Sequence, residues 1–143
     1  VTPKATTMRI NLTLPVFTAL LLSGLCGASS LDILYADLDG NGIAEKIRFV
    51  QNPQEVTVTV ENATGPQRLV FAIDSARQDA ICGLPAELDT AAPDCRPEAL
   101  GGSPLPGCKA DAKAQALVLS DGRCDAIHLY WNHDTNALAW WRM

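Results

Sequence analysis

The stretch EVTVTVE, residues 55–61, alternates without a break: Val56, Val58 and Val60 on one side, Thr57, Thr59 and Glu61 on the other. An extended chain sends successive side chains to opposite faces, so such a run forms a strand with one buried face and cannot form an amphipathic helix. The run has company. Apolar segments of strand length recur at 31–36 (LDILYA), 45–51 (EKIRFVQ), 68–73 (RLVFAI), 114–120 (AQALVLS), 125–132 (DAIHLYWN) and 137–142 (ALAWWR). Turn chemistry separates them: NPQ at 52–54, NATGPQ at 62–67, DGRC at 121–124 and HDTN at 133–136. The pattern predicts a mainly β chain, a small antiparallel sheet or half-propeller-like domain, with a single core.

Residues 74–112 break the pattern. They are rich in Pro, Gly, Ala and Asp and carry Cys82, Cys95 and Cys108. The composition predicts an irregular insert, with a short helix at 75–81 or 97–100 as the only regular element. Together with Cys124 these cysteines make an even set, which reads as two disulfides with three pairings open. Their spacing of 13, 13 and 16 residues contains no CxxC and no paired His, which argues against zinc. Disulfides in a small chain point to an oxidising compartment.

The first residues agree. Met8-Arg9 precedes LTLPVFTALLL (12–22), an apolar core of signal-peptide length that is short for a membrane span. Small residues follow in SGLCGASS, and cleavage after Ala28 leaves 29–143 as the mature domain. The residues before Met8 read as an upstream extension. Cys26 offers a second route, lipidation, although Leu25 stands before it where a small residue is wanted. The expectation is a periplasmic or secreted protein without a transmembrane helix in its mature form. Lys4 and Arg9 leave with the first 28 residues, which hold no acid, so the net charge moves from -5 to about -7. Such a domain repels phosphate backbones, so no nucleic-acid partner is expected; divalent cations and basic proteins remain.

One loop carries chemistry. From Asp37 the chain reads DLDGNGIAE, with Asp37, Asp39 and Asn41 at positions 1, 3 and 5, Ile43 at 7 offering its carbonyl, and Glu45 at 9. In a curled loop alternate residues point inward, so these oxygens converge on one point, and hard oxygens in that number suit Ca²⁺. An EF-hand needs a carboxylate at position 12, where this chain has Arg48, and a helix after the loop, where this chain has a strand. The competing reading is an Asp-, Asn- and Gly-rich turn. The loop resembles the calcium loops of FG-GAP and VCBS-type repeats, found in integrin alpha chains and bacterial exported β-proteins. The match rests on Asp37, Asp39, Asn41, Gly42 and Glu45, and it implies a structural calcium ion between two strands. A second segment, SDGRCDAIHLYWN at 120–132, looks like a degenerate copy without the first acid and with Cys124 intruding, so no ion is expected there.

His128 and His133 are the only histidines, and no nucleophile motif accompanies them. The chain is therefore not expected to be an enzyme. Trp131, Trp140 and Trp141 all lie near the end of the sequence. Adjacent Trp140 and Trp141 must face opposite sides of a strand, and Tyr130, Trp140, Trp141 and Arg142 are candidates for a partner-binding patch. The expected function is an exported calcium-stabilised binding protein, of the immunity or inhibitor kind directed at an envelope or cell-wall hydrolase. This resembles small periplasmic inhibitors in architecture. The alternatives are a carbohydrate or surface-adhesion module using the tryptophans, and a hydrolase, for which no site is found.

Overall fold

The computed structural model describes residues 29–143; the segment expected to be a signal peptide, Cys26 included, lies outside them. Strands β1 (Ser30–Ala36), β2 (Glu45–Gln51), β3 (Glu55–Asn62) and β4 (Gly65–Ile73) form an antiparallel meander in chain order. The two-residue β5 (Ala80–Ile81) adds to it, parallel to β4. A second sheet runs in the order β6 (Glu87–Ala91), β7 (Ala116–Ser120), β8 (Ile127–Asn132) and β9 (Ala137–Trp141), all antiparallel. The domain is mainly β, as the alternation predicts. Among the described residues both sheets are open, and they form neither a barrel nor a propeller.

The alternating valines turn inward. Val56 lies opposite Phe71, Val58 opposite Phe49 and Val60 opposite Ile47, and all six are buried. In the second sheet Leu117 lies opposite Leu129, Leu119 opposite Ile127 and Trp131 opposite Leu138. These side chains belong to one buried cluster, so the two sheets share a core. Burial of such apolar surface is the main stabilising contribution in a domain this small.

Three glutamine amides tie the sheets together where backbone pairing stops. Gln51 donates from Nε2 to the Ala86 carbonyl (3.1 Å) and accepts at Oε1 from the Ala86 N–H (3.0 Å). Gln67 does the same with the Asn136 carbonyl (3.0 Å) and the Leu138 N–H (2.8 Å). Gln115 accepts at Oε1 from the Asp37 N–H (3.2 Å), while its backbone N–H donates to the Asp37 carbonyl (2.7 Å). The Gln51 and Gln67 amides each offer a donor and an acceptor at once, which lets them complete a strand edge as another strand would.

The insert differs from its expectation in part. Helix is absent at 75–81, and a single 3-10 turn forms at Glu98–Leu100. More consequentially, β5 and β6 lie inside the segment, and β6 supplies the edge of the second sheet. The sequence of β6, ELDTA, has one buried apolar side chain, Leu88. Its extended state comes from pairing with β7 and not from local alternation. The remainder of the insert is irregular and covers the outer face of the second sheet. The Tyr130 hydroxyl donates to the Pro106 carbonyl (3.2 Å), the His133 N–H to the Gly107 carbonyl (2.8 Å), and Pro97 is fully buried. Among the described residues no helix is long and apolar enough to cross a membrane.

Candidate metal centre

The acidic loop joins β1 to β2, and the hairpin register sets its ends: Ala36 lies opposite Glu45. Residues 37–44 must therefore turn back within one strand spacing, and the chain does so through left-handed conformations at Gly40 (φ 75°) and Gly42 (φ 89°). Side chains with a Cβ are strained there, which is why the loop uses glycine. The curl brings one carboxylate oxygen each from Asp37, Asp39 and Glu45 within 4.8 Å of one another, an arrangement that could hold a metal ion.

The details distinguish the acids. Glu45 is 7% exposed, and its Oε2 accepts from the Leu38 N–H at 2.7 Å. Burial pushes its carboxyl above the usual carboxylate range; the Leu38 N–H opposes the rise and the charges of Asp39 and Asp37 add to it. Asp37 Oδ2 accepts from the Gly42 N–H at 2.7 Å, closing the curl. Asp37 Oδ1 is buried without any hydrogen-bond partner among the described residues. A buried carboxylate oxygen left unpaired is costly, and a cation bound between the three acids would satisfy it and reverse the rise at Glu45. The residues present thus fit a metal ion.

Asn41 and Ile43 stand differently. Both are exposed. The Asn41 side chain is turned onto its own loop, donating to Asp39 Oδ2 (2.8 Å) and accepting from the Ile43 N–H (2.7 Å), an Asx-turn geometry. The loop also has a second wall that spacing could not reveal. Residues 111–115 close on it through the Gln115–Asp37 pair, and Asp111 approaches Gly40 closely enough that a Cβ there would lie 3.6 Å from its Oδ2. A long-range amide and a fourth acid therefore border the site.

The degenerate loop between β7 and β8 is built on other means. Asp121 Oδ2 accepts from the Cys82 N–H and from the Gly83 N–H (3.2 Å), while Oδ1 accepts from the Arg123 N–H (2.8 Å) and the Cys124 N–H (3.0 Å). Burial alone would raise this carboxyl, but the four donors outweigh it and hold it below its ordinary value. The Cys82–Cys124 disulfide spans the same two segments, and Cys95–Cys108 closes the insert. Where the first loop leaves a carboxylate oxygen unpaired, the second saturates its acid with peptide N–H groups and a covalent link.

The aromatic candidates do not gather into one patch. Tyr130 is buried under the insert. Trp140 lies on the core side, edge-on to Phe71 with centroids 6.2 Å apart, and is 37% exposed. Trp141 lies on the opposite face, stacked on His128 with centroids 4.1 Å apart. The Arg142 guanidinium donates to the Ala80 carbonyl at 2.6 Å, fastening β9 to β5. Burial holds His128 below the usual histidine value, against the opposing charge of Asp94. Comparison with protein-family models, with curated proteins and with solved structures finds no match to this chain.

Proposed function

We propose that this chain is an exported, calcium-stabilised binding protein that engages a protein partner, of the immunity or inhibitor kind directed at an envelope hydrolase. The observation that carries the ion is the convergence of one carboxylate oxygen each from Asp37, Asp39 and Glu45 within 4.8 Å, together with an Asp37 oxygen that is buried and without a hydrogen-bond partner among the described residues. Three carboxylates, with room for carbonyls and waters in an open glycine loop, favour Ca²⁺ over Mg²⁺, which demands a stricter octahedron. The ion's role is structural: it offsets the mutual repulsion of three acids at the tip of the β1–β2 hairpin and fixes the end of β1 and the start of β2. The two disulfides are compatible with export. The acidic balance of the chain favours a basic partner.

The adhesion reading has less support, because Trp140 and Trp141 face opposite sides and Tyr130 is covered. The test has two arms. Thermal melts with EDTA and with Ca²⁺ should differ, the calcium form melting higher. Immobilised protein exposed to periplasmic extract and to lysate of competing bacteria should capture a hydrolase. Superimposable melts would remove the ion, and failure to capture any protein from either extract would remove the partner.

A further inference from the structure

The first sheet ends in a strand that is paired on one side only. β1 bonds to β2, and among the described residues no strand meets its other edge. Its outward side chains are apolar and uncovered: Leu31 is 57% exposed, Ile33 49% and Tyr35 65%. Edge strands are ordinarily blunted by charge, proline or a bulge on the exposed side. Here the one charged residue of the strand, Asp32, sits on the opposite face.

That opposite face borders a groove. It lies between β1 and β6, the edge strand of the second sheet, and its lining includes Leu34, Phe49 and Leu88. Its only charged lining residues are Asp32, Glu87 and Asp89: three acids and no base. A strand laid along β1 would therefore meet apolar side chains on its outer face and carboxylates on its inner face.

We propose that β1 is a docking strand that the protein partner extends by one more strand, through a segment whose side chains alternate between apolar and basic. The proposal rests on the binding-protein reading above and names where and how the partner is held. Backbone pairing along the open edge supplies affinity, and the alternation supplies selectivity. The apolar side chains of the segment cover Leu31, Ile33 and Tyr35, and its basic side chains reach into the groove. A second copy of this chain is a poorer occupant, because joining two β1 edges would bring two sets of Asp32, Glu87 and Asp89 together.

The probe is a seven-residue peptide of alternating valine and lysine, matched to the length of β1. A peptide of the same composition in non-alternating order is the control. Both are titrated into the isotope-labelled, disulfide-bonded protein and followed by NMR and amide hydrogen exchange. The alternating peptide should slow exchange at the β1 amides facing away from β2 and bind at least about fivefold more tightly than the control. The surface variant Ile33→Ser/Tyr35→Ser should weaken it about tenfold, and Asp32→Asn about threefold. Equal binding of the two peptides, or binding without protection of those amides, overturns the proposal. So does slowed exchange at the same amides in concentrated protein alone, since it would identify a second copy as the occupant. Absence of peptide binding overturns the docking strand whatever the capture experiment gives. The binding-protein reading falls only if no partner is captured, so the two failures are read separately.

Discussion

Replacing Asp121 tests how the second loop holds together without an ion. Asp121→Ala leaves the Cys82, Gly83, Arg123 and Cys124 N–H groups without their acceptor. A hydrogen bond to a charged group contributes ~1.5–3 kcal/mol. The full sum does not apply, since Arg123 is exposed and its N–H can turn to water, and since the carboxylate itself loses hydration on burial. We expect a loss of ~3 kcal/mol at neutral pH, with the disulfide intact, from urea unfolding followed by tryptophan fluorescence. At this chain length that corresponds to a melting point lower by about 12 °C. Asp121→Asn keeps one acceptor oxygen but turns an NH₂ group toward the other pair of donors, so it should recover only a minor part, leaving a cost of ~2 kcal/mol. Because the Asp121 carboxyl is held below its ordinary value of 3.8 in the folded chain, its stabilisation is complete above that pH. It is lost as pH falls through the folded value. Wild type and Asp121→Ala should therefore converge in strong acid. A deficit under ~1 kcal/mol at neutral pH, or one that persists unchanged in acid, would refute the four-donor account.

Other perturbations have equally specific outcomes. Gln67→Ala removes both bonds of one sheet-to-sheet clasp and should cost ~2 kcal/mol in urea unfolding, whereas Gln54→Ala, on an exposed turn, should cost under ~0.5 kcal/mol. Cys82 and Cys124 are 42 residues apart and Cys95 and Cys108 are 13 apart. On the chain-entropy model, replacing the first pair by serine should cost ~4 kcal/mol and the second ~3 kcal/mol, read from urea midpoints. His128 should titrate by NMR with a midpoint below the ordinary histidine value of 6.5, since burial disfavours its charged form. The stability it contributes is present above 6.5 and is lost as pH falls through the folded value.

The strands were legible because their signal is local. Val56, Val58 and Val60 announce an inward face whatever lies across from them, and the turns between strands carry Asn, Pro, Asp and Gly. Strand β6 was not legible, because ELDTA has a single buried anchor and owes its extended state to β7, nearly thirty residues away. The acids of the first loop were found by spacing, since Asp37, Asp39 and Glu45 are neighbours in the chain. The groups that border them were not. Gln115 reaches Asp37 across 78 residues, and nothing distinguishes its amide in sequence from that of any surface glutamine. The same limit hid the function of Asp121: its Asp-Gly turn was visible, while two of its four donors lie 38 and 39 residues upstream. The bond from Arg142 to β5, a strand of two residues, was hidden in the same way, since Ala80 lies 62 residues upstream.

The central claim is that Asp37, Asp39 and Glu45 form one calcium site, and calorimetric titration of chelator-stripped protein with Ca²⁺ addresses it directly. One ion per chain should bind, with Mg²⁺ far weaker, and saturation at about a hundredfold excess over Kd should add ~2.7 kcal/mol of stability. Asp37→Ala/Asp39→Ala should abolish both the heat and the stabilisation while leaving the strands intact by circular dichroism. No binding heat in the wild type together with unchanged stability, or binding that survives in the double variant, would contradict the site.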